Sequence, residues 1–93
     1  MKYAVVYTPR FKKEFKKAIK RGLDVHLLEQ VVSLLAEGKP LPAQHKDHPL
    51  KGNFTGFREC HIQSDWLLIY KIHQQEVVLS LERTGTHSDL FNE

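Results

Sequence analysis

The chain has 93 residues, 41% of them hydrophobic and 27% charged, with a formal net charge of +3, which suits one domain, residues 1–93, with one modest core shared by every element. Its single cysteine, Cys60, excludes an intramolecular disulfide and the cysteine-rich zinc patterns, and neither a charged-then-apolar leader nor an apolar run of bilayer length is present, so the expected setting is a reducing cytoplasm, away from membranes. The charge is uneven: residues 1–21 carry 8 basic side chains against Glu14 alone, a balance of +7, while the remainder holds 6 basic and 10 acidic residues, a balance of −4, so either a basic face for phosphate or an acidic partner, or a lysine-rich solvated helix, is expected.

KYAVVYT, Lys2 to Thr8, is rich in β-branched and aromatic residues and predicts a strand. Thr8 then suits a helix N-cap, with Pro9 in the first turn, and Phe11, Phe15, Ala18 and Ile19 recur on one face while lysines fill the other. Gly22 ends this helix. Asp24 caps a second helix, whose Val25, Leu28, Val31, Val32 and Leu35 form another apolar stripe before Gly38. A connection this short makes the two helices an antiparallel hairpin. PLPAQHKDHPLKGNF, Pro40 to Phe54, lacks an apolar period and reads as a surface loop.

FRECHI, WLLIYKI and VVLSLER then predict three strands, turning at Ser64–Asp65 and at His73–Glu76, an antiparallel meander. In the first, Phe57, Glu59 and His61 share one face and Arg58, Cys60 and Ile62 the other. WLLIYKI has no clean alternation, as expected of a central strand buried on both sides. The expected class is therefore α+β, in the order βααβββ, an antiparallel sheet with a helical hairpin on one face. The opposite face has no helix left to cover it. DHPL, the SDW turn and the THSDLF tail border that face, so a site is expected there.

His48, His61 and His87 lie in or beside these border segments. Imidazole titrates near neutrality, so two histidines can supply a base and an acid at one working pH. RNA brings its own 2′-hydroxyl nucleophile, leaving the protein to move protons and stabilise phosphorane charge. Asp65, Lys46 and Arg83 are suitable companions, and Trp66, Phe91 and Phe54 are suited to stacking on unpaired bases. Each has a structural alternative: His61 as a hydrogen-bonded strand residue, Trp66 as core, His48 as a plain loop residue, Asp65 as an Asx turn. HKDH, His45 to His48, offers metal-ligating types, but its i, i+3 spacing in a proline-rich loop matches no zinc pattern.

The combination KDHPLKGNFTGFRECHIQSDWLLIYK followed by LERTGTHSDLF, with the YTPRFKKEFKKAIKRG opening and the LLAEGKPLP segment, closely resembles the YafQ-type branch of the RelE/ParE superfamily of bacterial toxin–antitoxin toxins. The resemblance implies a RelE-like, microbial-ribonuclease-like fold and an endonuclease that cuts mRNA on the ribosome without a metal or cofactor. It also implies a cognate antitoxin as partner, and operator DNA as a contact of the toxin–antitoxin complex. Residue by residue, it assigns function to His48, His61, Asp65, Trp66, His87 and Phe91; on it, His87 is expected as general acid and His48 as general base, with Asp65 or His61 as the alternative base. Lys46 and Arg83 are expected at phosphates, and Lys12, Lys13, Lys16 and Lys17 at RNA. Glu59 stands where an aspartate is expected, its role open. A gyrase-binding toxin of the same fold and an RNA-binding module without turnover are the competing functions.

Overall fold

The computed structural model describes residues 2–91. Strand β1 (Ala4–Tyr7) leads into helices α1 (Pro9–Lys20) and α2 (Val25–Ala36), then β2 (His48–Pro49), β3 (Arg58–Gln63), β4 (Trp66–His73), β5 (Val78–Gly85) and a short helix α3 (His87–Phe91). The helix starts follow the local chemistry expected. Thr8 Oγ1 accepts the Phe11 N–H at 3.0 Å, Asp24 Oδ1 accepts the His26 N–H at 2.9 Å, and Pro9 occupies the first turn where its missing donor costs nothing. Gly22, at φ +83°, turns the chain between the helices.

The sheet order is β1-β5-β4-β3-β2. It is antiparallel except at one edge, where β1 pairs in parallel with β5. The strand count exceeds expectation by β2, drawn from the Pro40–Phe54 loop: two residues suffice because His48 and Pro49 find partners in Glu59 and Arg58. A second departure concerns the face opposite the hairpin. The tail folds into α3 and covers part of it, burying Leu90 with Leu67 and Ile69, flanked by Leu50, Phe57 and Phe91. The helical face holds the main core, in which Phe11, Leu28, Val31 and Leu35 meet Cys60, Ile62, Leu68, Tyr70, Leu79 and Leu81. β4 is thus buried on both sides, alternate residues serving different cores, as its unbroken apolar run predicts.

Two apolar expectations are corrected by the packing. Trp66 is 2% exposed within the main core, its Nε1 donating to Thr84 Oγ1 at 2.9 Å; a ring enclosed this way offers no face to a base. Ile19, expected in the buried stripe, is 47% exposed. It borders an apolar groove of about 570 Å³ lined by Tyr7, Phe11, Phe15, Val25 and Val32, with Lys12 and Lys16 also on its walls. No helix among the described residues is long and apolar enough to cross a membrane.

Candidate active site

The cross-strand register builds the centre of the site. His48 on β2 lies directly opposite Glu59 on β3, and His61 follows Glu59 by two residues on the same face. Glu59 is 5% exposed. Its Oε1 lies 3.7 Å from His48 Nε2 and 3.6 Å from His61 Nε2. His87, the first residue of α3, brings its ring to 5.6 Å from that of His61, edge to face. Three segments far apart in sequence therefore meet around one buried carboxylate.

The loop before β2 is held by Asp47, which accepts from Tyr70 Oη at 2.5 Å and from Arg58 Nε at 3.3 Å. Burial first, and then the Asp47 bond, push the Tyr70 phenol above its usual range, so it remains a donor. Lys46 takes the left-handed conformation, φ 48°, and its carbonyl accepts from His48 Nδ1 at 2.6 Å. On the far side, the β3–β4 turn presents Asp65, whose Oδ1 accepts both the His87 N–H at 3.0 Å and His87 Nδ1 at 2.9 Å. Carbonyl and carboxylate oxygens only accept, so the proton sits on Nδ1 in both histidines and the neutral ring keeps a lone pair on Nε2. His45 Nδ1 likewise donates to the His61 carbonyl at 2.6 Å. The backbone and then the side-chain bond from His87 hold the Asp65 carboxyl below the usual range, so it is an anion at neutral pH and orients His87.

Of the expected site residues, His48, His61, Asp65 and His87 converge. Lys46 is exposed and lines a shallow cavity with His45 and His61. Phe91 is half-buried and packs edge-on against Phe54, ring centres 5.5 Å apart, at the end of α3. Arg83 is corrected: its Nη2 donates to Glu14 Oε2 at 2.6 Å with the side chain 15% exposed, so it ties β5 to α1 and is not free for phosphate. The lysines of α1 are all exposed but diverge, Lys12 and Lys16 toward the apolar groove and Lys17 toward Asp89, with Lys13 likewise in solvent.

Glu59 is the central residue whose role its sequence neighbours left open. Its signal was the alternation with His61, but its pairing with His48 is non-local. Among the described residues, the HKDH side chains form no cluster of ligand atoms able to hold a metal. A different trio does offer ligands: one atom each from Glu59, His61 and His87, all within 4.8 Å of one another.

The family model describing the YafQ bacterial toxin of type II toxin–antitoxin systems matches residues 3–92. The chain is 43% identical over 88 residues to the mRNA interferase toxin YafQ of Escherichia coli K12, covering 94% of each sequence. Among solved structures it is similar to a metal-bound toxin from Helicobacter pylori, at 46% identity, 96% of this chain, 99% of that one and a TM-score of 0.91. It is also similar to a chain of the E. coli DinJ–YafQ complex, at 42% identity, 96% and 98% coverage and a TM-score of 0.86.

Proposed function

This chain belongs to the YafQ family of bacterial toxins of type II toxin–antitoxin systems, and on that premise we propose that it is an mRNA interferase, an endoribonuclease that stops translation by acid–base cleavage of messages held by the ribosome. The observation that carries the reading is the gathering of three imidazoles around buried Glu59, two of them with Nδ1 fixed by an acceptor. In this mechanism His48 Nε2 takes the 2′-hydroxyl proton as the oxygen attacks the adjacent phosphorus, while His87 enters as the imidazolium beside anionic Asp65, gives its Nε2 proton to the departing 5′-oxygen and is left as the neutral Nδ1–H ring. Asp65 orients His87. Glu59 supplies negative charge beside the imidazolium that forms, and His61 completes the hydrogen-bonding edge toward phosphate. Phe91 packs against a splayed base, while Lys46 and the exposed lysines Lys12, Lys13, Lys16 and Lys17 meet RNA phosphates.

The partner that restrains the toxin is a cognate antitoxin, as DinJ forms a complex with YafQ in E. coli. We place its apolar segment on the groove beside Ile19 and Tyr7, where exposed hydrophobic surface stands between Lys12 and Lys16. Operator DNA is then a ligand of the pair, and the cytoplasm its setting. Expression without antitoxin should halt protein synthesis and leave messages with new 5′ ends, read by primer extension. Arrested growth with intact messages would overturn the nuclease and favour the gyrase-binding class.

A second reading of the same atoms is favoured by the Glu59–His61–His87 spacing and by the metal-bound H. pylori relative. Imidazole and carboxylate suit zinc or copper, and the Asp65–His87 pair is the kind of carboxylate–histidine arrangement that orients a ligating ring. Such an ion would occupy the atoms the acid–base chemistry uses, so it inhibits. Toxin stripped with EDTA and returned to ribosome buffer should cut at full rate; stoichiometric zinc should stop cleavage, and a zinc chelator should restore it. Loss of cleavage on stripping, recovered with one divalent ion, would instead make that ion part of the reaction.

A further inference from the structure

Helix α3 has five residues, too few to hold its own shape, so the position of His87 depends on what anchors that turn. Besides the burial of Leu90 and the Asp65 bond to the His87 N–H, its polar anchors converge on Asp89. Its Oδ2 accepts the Thr86 N–H at 3.1 Å, while Thr86 Oγ1 accepts the Asp89 N–H at 3.0 Å, a reciprocal arrangement at the helix start. The same carboxylate accepts from Arg21 Nη1 at 2.7 Å and Nη2 at 3.4 Å, with Lys17 Nζ at 3.9 Å. Arg21 caps the C-terminal end of α1. The Arg21 bond, and then the Thr86 backbone bond, hold the Asp89 carboxyl far below the usual range, so it stays ionised. Gly85 makes room for it: a Cβ there would lie 2.9 Å from Asp89 Cβ and 3.0 Å from Oδ2.

We propose that Asp89 is a positioning residue for cleavage: clamped between Arg21 and Thr86, it fixes the backbone that carries His87 and so aims His87 Nε2 at the leaving oxygen. The inference rests on the reading of His87 as proton donor. Asp65 and Asp89 hold the turn from opposite sides: Asp65 takes the imidazole Nδ1–H and the backbone N–H of His87 from the β3–β4 turn, whereas Asp89 ties the start of α3 to Arg21, so loss of Asp89 leaves His87 fastened on one side alone. Arg21 extends the control to α1, so the basic helix holds the acid–base site in place as well as presenting cations.

The test is single-turnover cleavage on programmed ribosomes across a range of toxin concentrations, with melting followed by circular dichroism. Asp89→Ala should lower the maximal rate roughly ten- to hundredfold, the scale expected for an ångström-level misplacement, with the half-saturating toxin concentration unchanged. Asp89→Asn keeps an acceptor for Thr86 and should recover much of the rate. Arg21→Ala should lower the rate less, and combined with Asp89→Ala should add nothing. The imidazole Nδ1–H resonance of His87 should broaden or shift in both. In a His87→Ala background, Asp89→Ala should cause no further loss.

Full activity of Asp89→Ala overturns the proposal, as does an undiminished additional loss in the His87→Ala background, which would mean general destabilisation. Should Asp89→Ala fail to fold, Arg21→Ala decides: it lies on the surface, and an unchanged maximal rate with intact folding overturns the clamp. Wild-type cleavage by His87→Ala alone would instead overturn the functional reading on which the clamp rests.

Discussion

His87→Ala should cut messages roughly 10²–10⁴-fold more slowly than the parent protein, the usual loss when a positioned proton donor is removed. Binding should persist. The side chain is 42% exposed and its partners are Asp65 and the edge of His61, so removing it opens no core cavity. The backbone N–H of residue 87 still has Asp65 as acceptor, and the start of α3 remains fastened through Thr86 and Asp89. Ribosome pelleting and antitoxin capture should therefore match the parent, and the melting temperature should move little. A folded, ribosome-bound variant that cuts at the parent rate would pass the acid role to His48 or His61.

Trp66→Ala should do the opposite, damaging stability first. A large aromatic removed from a packed core costs about 3–5 kcal/mol, and here Thr84 Oγ1 also loses the indole donor, although it still donates to the Leu67 carbonyl at 2.7 Å. Against a typical total of about 5–15 kcal/mol, that loss leaves a chain of this size near its unfolding threshold. Trp66→Phe keeps most of the volume and should lose less, roughly 1–2 kcal/mol for the hydrogen bond and imperfect fit. Urea unfolding of both variants has to be followed by far-UV circular dichroism, because Trp66 is the single tryptophan. A Trp66→Ala protein of parental stability that releases RNA would restore the stacking role.

The two residues differ in how far their roles could be read from the chain alone. His87 was legible because THSDLF, SDW and DHPL carry acid–base residue types beside a strand meander, and the family resemblance assigned them together. Trp66 was not, because the same adjacency to Asp65 fits an exposed platform and a core residue equally. Side-chain alternation decides it: Trp66, Leu68 and Tyr70 point to the helical face, while Asp65 remains in the turn. Arg83 was misread for a related reason. A basic residue near a strand end looks available until the partner on another element is known, here Glu14 on α1, 69 residues away.

By itself the sequence determined the helices with their caps, the meander, the two-sided burial of β4, the basic first helix and the family. These depend on hydrogen bonds and periodicities acting over a few residues, so neighbouring positions contain them. Only the tertiary structure decided which side chains meet. The opposition of His48 and Glu59 is set by strand register, Asp65 reaches His87 across 22 residues, and Arg21 reaches Asp89 across 68. The same is true of α3: its five residues carry too little helix propensity to specify it, and it forms because Leu90 is buried against β4 while Asp89 is clamped by α1. A contact across such separations is fixed by sheet order, register and the direction each Cβ takes from the backbone, none of which is a property of the residues adjacent to it.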